Sequence, residues 1–326
     1  MMQITSYNLW EEGEYEYPAA FGFEPDITAF IHDDKTARPG IVIVPGGGYR
    51  VVSPSEGEIV AKEFFHKGYQ AFVCTYTTNL LGMAPLKKQP MRDLARAVRR
   101  IRKAGERFHI LNGILLLCGF SAGAHLCGSL CTHFKDIEDE NPEFSGISCR
   151  PNAAVLCYPV ITAGIYAHKD SFAALLGEHA SIEEREYMSL EKQVKNDTPP
   201  CFLWQTATDE LVPVENSYLM ADALRRNDIS FAHHVFSSGR HGLSLANAAW
   251  ARGDYGTTNT MRQTSGLIKA IKNGSIDIPE SGKRQLLDAF DYNEETGKEY
   301  LKGNIPNEEA AVWPVLADIW LNTILL

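Results

Sequence analysis

No two cysteines in this chain are spaced C-x-x-C, and their number, seven, is odd. That spacing argues against a disulfide framework and against a zinc-ligand set. The cysteines fall in apolar segments (Cys74, Cys118, Cys157, Cys201) or at helical spacing (Cys127, Cys131). Buried free thiols in a reducing, cytoplasmic compartment account for that placement. The amino end, "MMQITSYNLWEEGEYEY", lacks a basic stretch followed by an apolar one, so no signal peptide is expected. No apolar run approaches the ~20 residues that cross a bilayer. The longest, "GILLLCGF", suits a buried strand. Dense basic runs are also missing. The nearest, "RAVRRIRK" at 96–103, lies on a predicted helix and reads as a solvated face. With 31 basic against 41 acidic side chains, the chain repels phosphate. Neither a nucleic-acid partner nor a membrane is expected.

What is present is an alternation. Strand-like apolar runs occur at 26–32, 40–45, 70–76, 113–120, 152–159, 201–207 and 231–236. Several are almost continuously apolar, as strands covered on both faces are. Helical patterns lie between them, at about 56–67, 90–107, 121–134 and 213–227, with a last one at 308–325. In the fourth, Pro213 suits the first turn and Asn227 the stop. This predicts a single α/β domain over 1–326, with a mostly parallel sheet of about eight strands flanked by helices. Two regions break the rhythm. Residues 160–200 read as a short cap or linker ending in "NDTPP". Residues 251–307, rich in Gly, Thr, Asn and charge and without a strand pattern, read as an insertion before the last helix. A lid, a contact in a homo-oligomer or a loose loop are the roles open to that insertion, with assembly or a cap edge favoured.

The chemistry begins at "LLLCGFSAGAH", residues 115–125. An apolar strand runs into Gly119-Phe120-Ser121-Ala122-Gly123, and helix formers follow. A strand-to-helix turn this tight strains the serine, and small residues two positions away on either side relieve the crowding, as in G-x-S-x-G. The helix start then aims backbone N–H groups at the space above the hydroxyl. A second glycine stretch, "VIVPGGGYR" at 42–50, follows an early strand. It matches neither a Walker loop nor G-x-G-x-x-G opening a helix. Its glycines suit backbone donors that converge on an oxyanion, with Gly47, Gly48 and the Ala122 N–H as candidates. An acid and a base should follow the serine in that order. Asp209 lies just beyond an apolar strand, and His241 lies in a loop between Gly239 and Gly242. Glu210 is expected to face solvent or to cap the helix that Pro213 opens. His233 and His234 lie within a strand, and His125 points along a helix flank, so His241 is the base of choice. Tyr49, Arg50, Tyr158 and Trp204, near predicted strand ends, are candidate pocket residues, with an ordinary core or rim role equally open.

With these parts in order, the chain resembles the α/β-hydrolase superfamily, and more narrowly the bacterial acetyl-esterase/lipase group related to hormone-sensitive lipase. Some members of that group are xylan or sugar-ester esterases described as "xylanase B-like". The stretches that carry the likeness are "PGGGYRVVSPSEGE", "MRDLARAVRRIR", "CGFSAGAHLCGSL", "LCYPVI", "TPPCFLWQTATDELVPVENS" and "GRHGLSLA", spanning residues 40–246. The resemblance implies an α/β-hydrolase fold and a Ser121–Asp209–His241 triad. It also implies oxyanion donors at Gly47, Gly48 and Ala122, a small-molecule carboxyl ester with a short acyl group, often acetyl on a sugar, and no cofactor or metal. Two features depart from the pattern. Pro45 stands where lipases usually have histidine, and the 251–307 stretch is longer than the group leads one to expect. A prolyl-oligopeptidase-type peptidase shares the triad order but carries an N-terminal propeller, and only about 25 residues precede the first predicted strand. A non-catalytic binding module on the same fold is the remaining alternative, and the presence of all three triad residue types argues against it.

Overall fold

The computed structural model describes residues 1–290 and 304–325. Eight strands form one sheet: β1 (Met2–Asn8), β2 (Asp26–His32), β3 (Arg38–Val44), β4 (Gln70–Thr75), β5 (Ile110–Phe120), β6 (Ala153–Cys157), β7 (Cys201–Thr206) and β8 (Phe231–Phe236). Their order is β1-β2-β4-β3-β5-β6-β7-β8. The β1–β2 and β2–β4 pairs are antiparallel and the others parallel. Seven strands lie where the apolar runs predicted them. β1 does not, because its residues are mostly exposed on the sheet edge and show no apolar run. The first strand therefore starts at residue 2, not after about 25 residues. β5 begins three residues before its predicted start. Asn112 and Gly113 take positive φ there, and the pairing with β3 shifts register between Arg38 and Gly40, so an irregularity interrupts the apolar pattern.

The helices are α1 (Glu58–His66), α2 (Gln89–Lys103), α3 (Ala122–His133), α4 (Pro142–Ser145), α5 (Lys169–Leu176), α6 (Ile182–Tyr187), α7 (Glu215–Arg226), α8 (Ala248–Ala251), α9 (Arg262–Lys272), α10 (Glu280–Phe290) and α11 (Trp313–Leu325). Side chains alternate across the sheet with period two. Val42, Val44, Phe72, Leu115, Leu117 and Leu156 face α2 and α3. Ile41, Ile43, Val73, Leu116, Phe120 and Trp204 face α1 and α11. Both faces are thus closed, which is why the central strands read as unbroken apolar runs.

The two irregular regions carry helices of their own. Residues 160–200 hold α5 and α6. Within 251–307, α9 and α10 pack a small apolar cluster around Leu267, Ile268 and Ile271 against Phe21 and Leu80. Polar contacts fasten the stretch to the rest of the chain. The Gln263 amide bonds the backbone of Ala19 and Thr78, and Arg262 pairs with Asp26. The Glu58 carboxylate accepts the Thr257 and Thr258 N–H groups. Residues 291–303 of the predicted insertion lie outside the described residues. Among the described residues, no helix is long and apolar enough to cross a membrane.

His125 of α3 is fully buried, with Nδ1 at 2.8 Å from the Tyr49 hydroxyl and Nε2 at 2.9 Å from the Met188 carbonyl. Burial pushes its pKa down from 6.5 to about 4. Between those values the unfolded chain binds more protons than the folded one. The stability contributed by neutral His125 is therefore intact above the unfolded value and is lost as pH falls through the window. The thermal midpoint should fall between pH 7 and pH 4. In His125→Gln it should be lower at pH 7 and depend less on pH; an unaltered slope would show that this histidine does not titrate on unfolding.

Candidate active site

The carboxyl ends of β3, β5, β6, β7 and β8 lie side by side, and each opens into a loop that reaches one shared space. Ligands of open α/β sheets bind at this end. Ser121 follows β5 and precedes α3, with φ 52° and ψ −118°. An L-residue adopts that backbone only when its surroundings hold it there. The Ser121 N–H donates to the Cys157 carbonyl at 3.0 Å. The two glycines allow the closeness. A Cβ on Gly123 would lie 2.1 Å from the Val44 carbonyl oxygen and 2.4 Å from that of Pro45. One on Gly119 would lie 2.4 Å from the Gly123 carbonyl oxygen. Gly46 is also tightly packed, since its Cβ would lie 2.6 Å from the Phe120 carbonyl oxygen and 2.9 Å from Ser121 Cβ.

His241 Nε2 lies 2.8 Å from Ser121 Oγ, and its Nδ1 lies 2.7 Å from Asp209 Oδ2. The other Asp209 oxygen accepts the Leu211 and Val212 N–H groups at 3.0 and 2.9 Å, an Asx turn that fixes the carboxylate. The Asp209 side chain is buried and that of His241 nearly so. Thr206 and Thr208 hydroxyls donate to the Gly239 carbonyl, and the Gly239 N–H donates back to Thr208, so the loops after β7 and β8 are tied together. Glu210 is exposed and accepts the His241 backbone N–H at 3.2 Å. Its exposure agrees with the solvent-facing reading, and the bond to His241 is a contact the sequence did not indicate. His233 bonds Ser217 on the flank of α7, apart from this line. A hydroxyl, an imidazole and a carboxylate in such a line can move a proton from oxygen to nitrogen with the charge on the ring compensated.

Gly47 and Gly48 take positive φ (119° and 65°) in the loop after β3. Among the described residues, the backbone N–H groups of Gly47, Gly48 and Ala122 donate to nothing. The neighbouring Gly46 N–H is occupied by the Glu56 carboxylate. Of the four candidate pocket residues, two are elsewhere. Tyr49 is buried on His125, and Trp204 is buried between Tyr158 and Trp313, so neither side chain meets open space. Tyr158 is also buried but stands edge-on to His241, ring centroids 5.0 Å apart. Arg50 is exposed, 3.8 Å from Asp170. Nearness to a strand end is all that the sequence offers for these four side chains. It does not say whether a ring points up into the site or back into the core.

Two residues escaped the sequence. Glu56 lies buried beneath the glycine loop. His168, at the start of α5, comes close to Gly48: a Cβ there would lie 3.9 Å from His168 Cε1 and 3.8 Å from Ser171 Oγ. Its Nδ1 is 2.8 Å from Ser171 Oγ. Burial lowers its pKa, with His241 adding to the effect. Nothing in "AHKDSF" marks it, because it reaches the site only by the path of the 160–200 segment. Among the described residues, no group of three or more His, Cys, Asp or Glu side chains could hold a metal ion.

The sheet order and the loops at its carboxyl ends define an α/β hydrolase. The BD-FAE family profile matches residues 28–224, and the chain belongs to that family. It is 51% identical over 259 residues to endo-1,4-beta-xylanase B of Butyrivibrio fibrisolvens, covering 78% of this chain and 41% of that protein. It is 27% identical over 225 residues to an acetylxylan esterase of Xylanibacter ruminicola, covering 67% of this chain and 44% of that protein. The chain thus spans less than half the length of these curated relatives. A crystal structure of an acetyl ester-xyloside bifunctional hydrolase from Caldicellulosiruptor lactoaceticus superposes with a TM-score of 0.69 at 34% identity, covering 84% of this chain and 97% of that one.

Gly123→Ala tests the close approach. The added methyl group must push the β3 loop away from the nucleophile turn, and overpacking of this kind costs about 1–3 kcal/mol. The expected result is a lower thermal midpoint together with a Ser121 that reacts more slowly with a fluorophosphonate probe. Unchanged values for both would mean that the loop yields freely.

Proposed function

We propose that this chain is a serine carboxylesterase acting on short-chain, acetyl esters, with sugars or xylo-oligosaccharides as the alcohol. The observation that carries the reading is the hydrogen-bonded line Ser121–His241–Asp209 beside three unpaired backbone donors. His241 takes the proton from Ser121 as Oγ attacks the ester carbonyl. The N–H groups of Gly47, Gly48 and Ala122 receive the oxyanion, each contributing roughly 10²–10³ in turnover. His241 then protonates the departing alcohol. Water repeats the sequence on the acyl-enzyme, so that acid and free enzyme result.

The sugar side rests on two supports. The acetylxylan esterase and the acetyl ester-xyloside hydrolase described above are named for such substrates. Polar groups stand near the glycine loop: His168 lies beside Gly48, with Arg50 and Asp170 within electrostatic range of it. The Nε2 of His168 has no partner among the described residues, and neutral imidazole suits a hydroxyl that both donates and accepts. Seven free, buried cysteines favour a reducing, cytoplasmic setting.

Hydrolysis of p-nitrophenyl acetate, butyrate and octanoate beside an acetylated xylo-oligosaccharide is the direct test. Activity should fall with acyl length, and Ser121→Ala should lower it by about 10⁶-fold. A folded Ser121→Ala enzyme with full activity would sink the proposal. Cleavage of the matching anilide at a comparable rate would move the reading to an amidase. For the alcohol side, His168→Ala should lose about tenfold in kcat/KM on the sugar ester and much less on p-nitrophenyl acetate, whose alcohol carries no neighbouring hydroxyl. Equal losses on both would remove His168 from sugar recognition.

A further inference from the structure

The mechanism above makes no use of the Glu56 carboxylate, the last residue of a short 3-10 turn, Pro54–Glu56. One oxygen accepts the Gly46 N–H at 2.7 Å and the other accepts the Tyr158 hydroxyl hydrogen at 2.6 Å. The Tyr158 oxygen in turn accepts the Ser244 N–H at 3.0 Å, three residues beyond His241. The Ser244 hydroxyl donates to the Ser55 carbonyl at 2.6 Å, which returns the connection to the Glu56 turn. Tyr158 takes φ 36°, and its ring is held edge-on between His241 and Trp204. One carboxylate therefore joins three loops: the one carrying Gly47 and Gly48, the one after β6, and the one carrying His241.

A buried anion is an expensive way to fill space. An apolar side chain of similar size serves packing as well or better, and an ion survives only where donors meet its lone pairs. Here both donors belong to segments that reach the reacting atoms. The Gly46 N–H is turned inward to Glu56, which leaves the next two N–H groups of the loop unpaired. The Tyr158 ring is the surface against which His241 rests. Burial raises the Glu56 carboxyl pKa, while Tyr158, Gly46 and the nearby His241 oppose that rise.

We infer that Glu56 is a positioning residue that sets the glycine loop and His241 in register with Ser121. Its negative charge also favours the imidazolium that forms when Ser121 gives up its proton. The inference rests on the esterase reading above. The groups around His241 are Ser121 at Nε2, Asp209 at Nδ1, Glu210 on its backbone N–H and Tyr158 against its ring, with Glu56 and His168 within electrostatic range. Removing the Glu56 charge takes away that electrostatic support for the imidazolium formed during the reaction, which the pH profile of kcat/KM reads out.

The test is Glu56→Gln, which keeps the shape and removes the charge, measured beside Tyr158→Phe, which keeps the ring and cuts the link. On p-nitrophenyl acetate, kcat of Glu56→Gln should fall about 10- to 10²-fold, the size of a small misplacement of reacting groups. KM should stay within about threefold, and the acid limb of the kcat/KM profile should move to lower pH. Tyr158→Phe should also lose kcat with KM little changed. A lower thermal midpoint with wild-type kcat per folded enzyme and an unmoved acid limb would make Glu56 purely structural and overturn the inference. Should Glu56→Gln fail to fold, a wild-type kcat in Tyr158→Phe overturns it equally. Failure of the esterase reading looks different: the wild-type chain would then show no ester hydrolysis that depends on Ser121.

Discussion

The structure depends on the contact of Gly123 with the Val44 and Pro45 carbonyls. There the helix that follows the serine lies against the loop that follows β3, at a distance no side chain permits. That approach fixes where the unpaired N–H groups of Gly47 and Gly48 stand relative to the Ser121 hydroxyl. Because β3 and β5 are hydrogen-bonded neighbours, the approach follows from the parallel order at the centre of the sheet. The strain at Ser121 is compensated by that packing and by the flanking bonds to Cys157 and Val160.

From this centre the other loops are joined outward in pairs. Asp209 and His241 come from adjacent parallel strands, β7 and β8, and the reciprocal bonds of Thr206, Thr208 and Gly239 hold their loops together. Tyr158 and Glu56 connect this pair back to the glycine loop. The Ser121, His241 and Asp209 side chains and the glycine loop are therefore supported by buried hydrogen bonds beneath them, those of Glu56, Tyr158 and Ser244 above all. That arrangement gives rigidity where a half-satisfied network would weaken the fold.

The insertion shows how little composition says about packing. Gly-, Thr- and Asn-rich sequence between 251 and 290 nonetheless forms two longer helices. Gln263, Arg262 and the Thr257–Thr258 turn bond to the amino-terminal segment and to α1. Those partners are separated from it by some two hundred residues of chain. No local pattern could announce the contacts, because each depends on where the sheet places residues 19, 26, 58 and 78.

The strands with unbroken apolar runs, the helices between them, and the serine, acid and histidine in their order were legible in the sequence. Each has a local cause: period, turn chemistry or glycine at a crowded position. The exposed edge strand β1 left no such trace. Nor did the inward turn of Tyr49 and Trp204, since a ring at a strand end can face the site or the core and only its neighbours decide which. Glu56 looked like any surface glutamate in "SPSEGE", and His168 like any polar residue in "AHKDSF". Tertiary structure alone made one the buried junction of three loops and set the other beside Gly48. Both roles come from side chains far apart in sequence, and local sequence carries no record of such meetings.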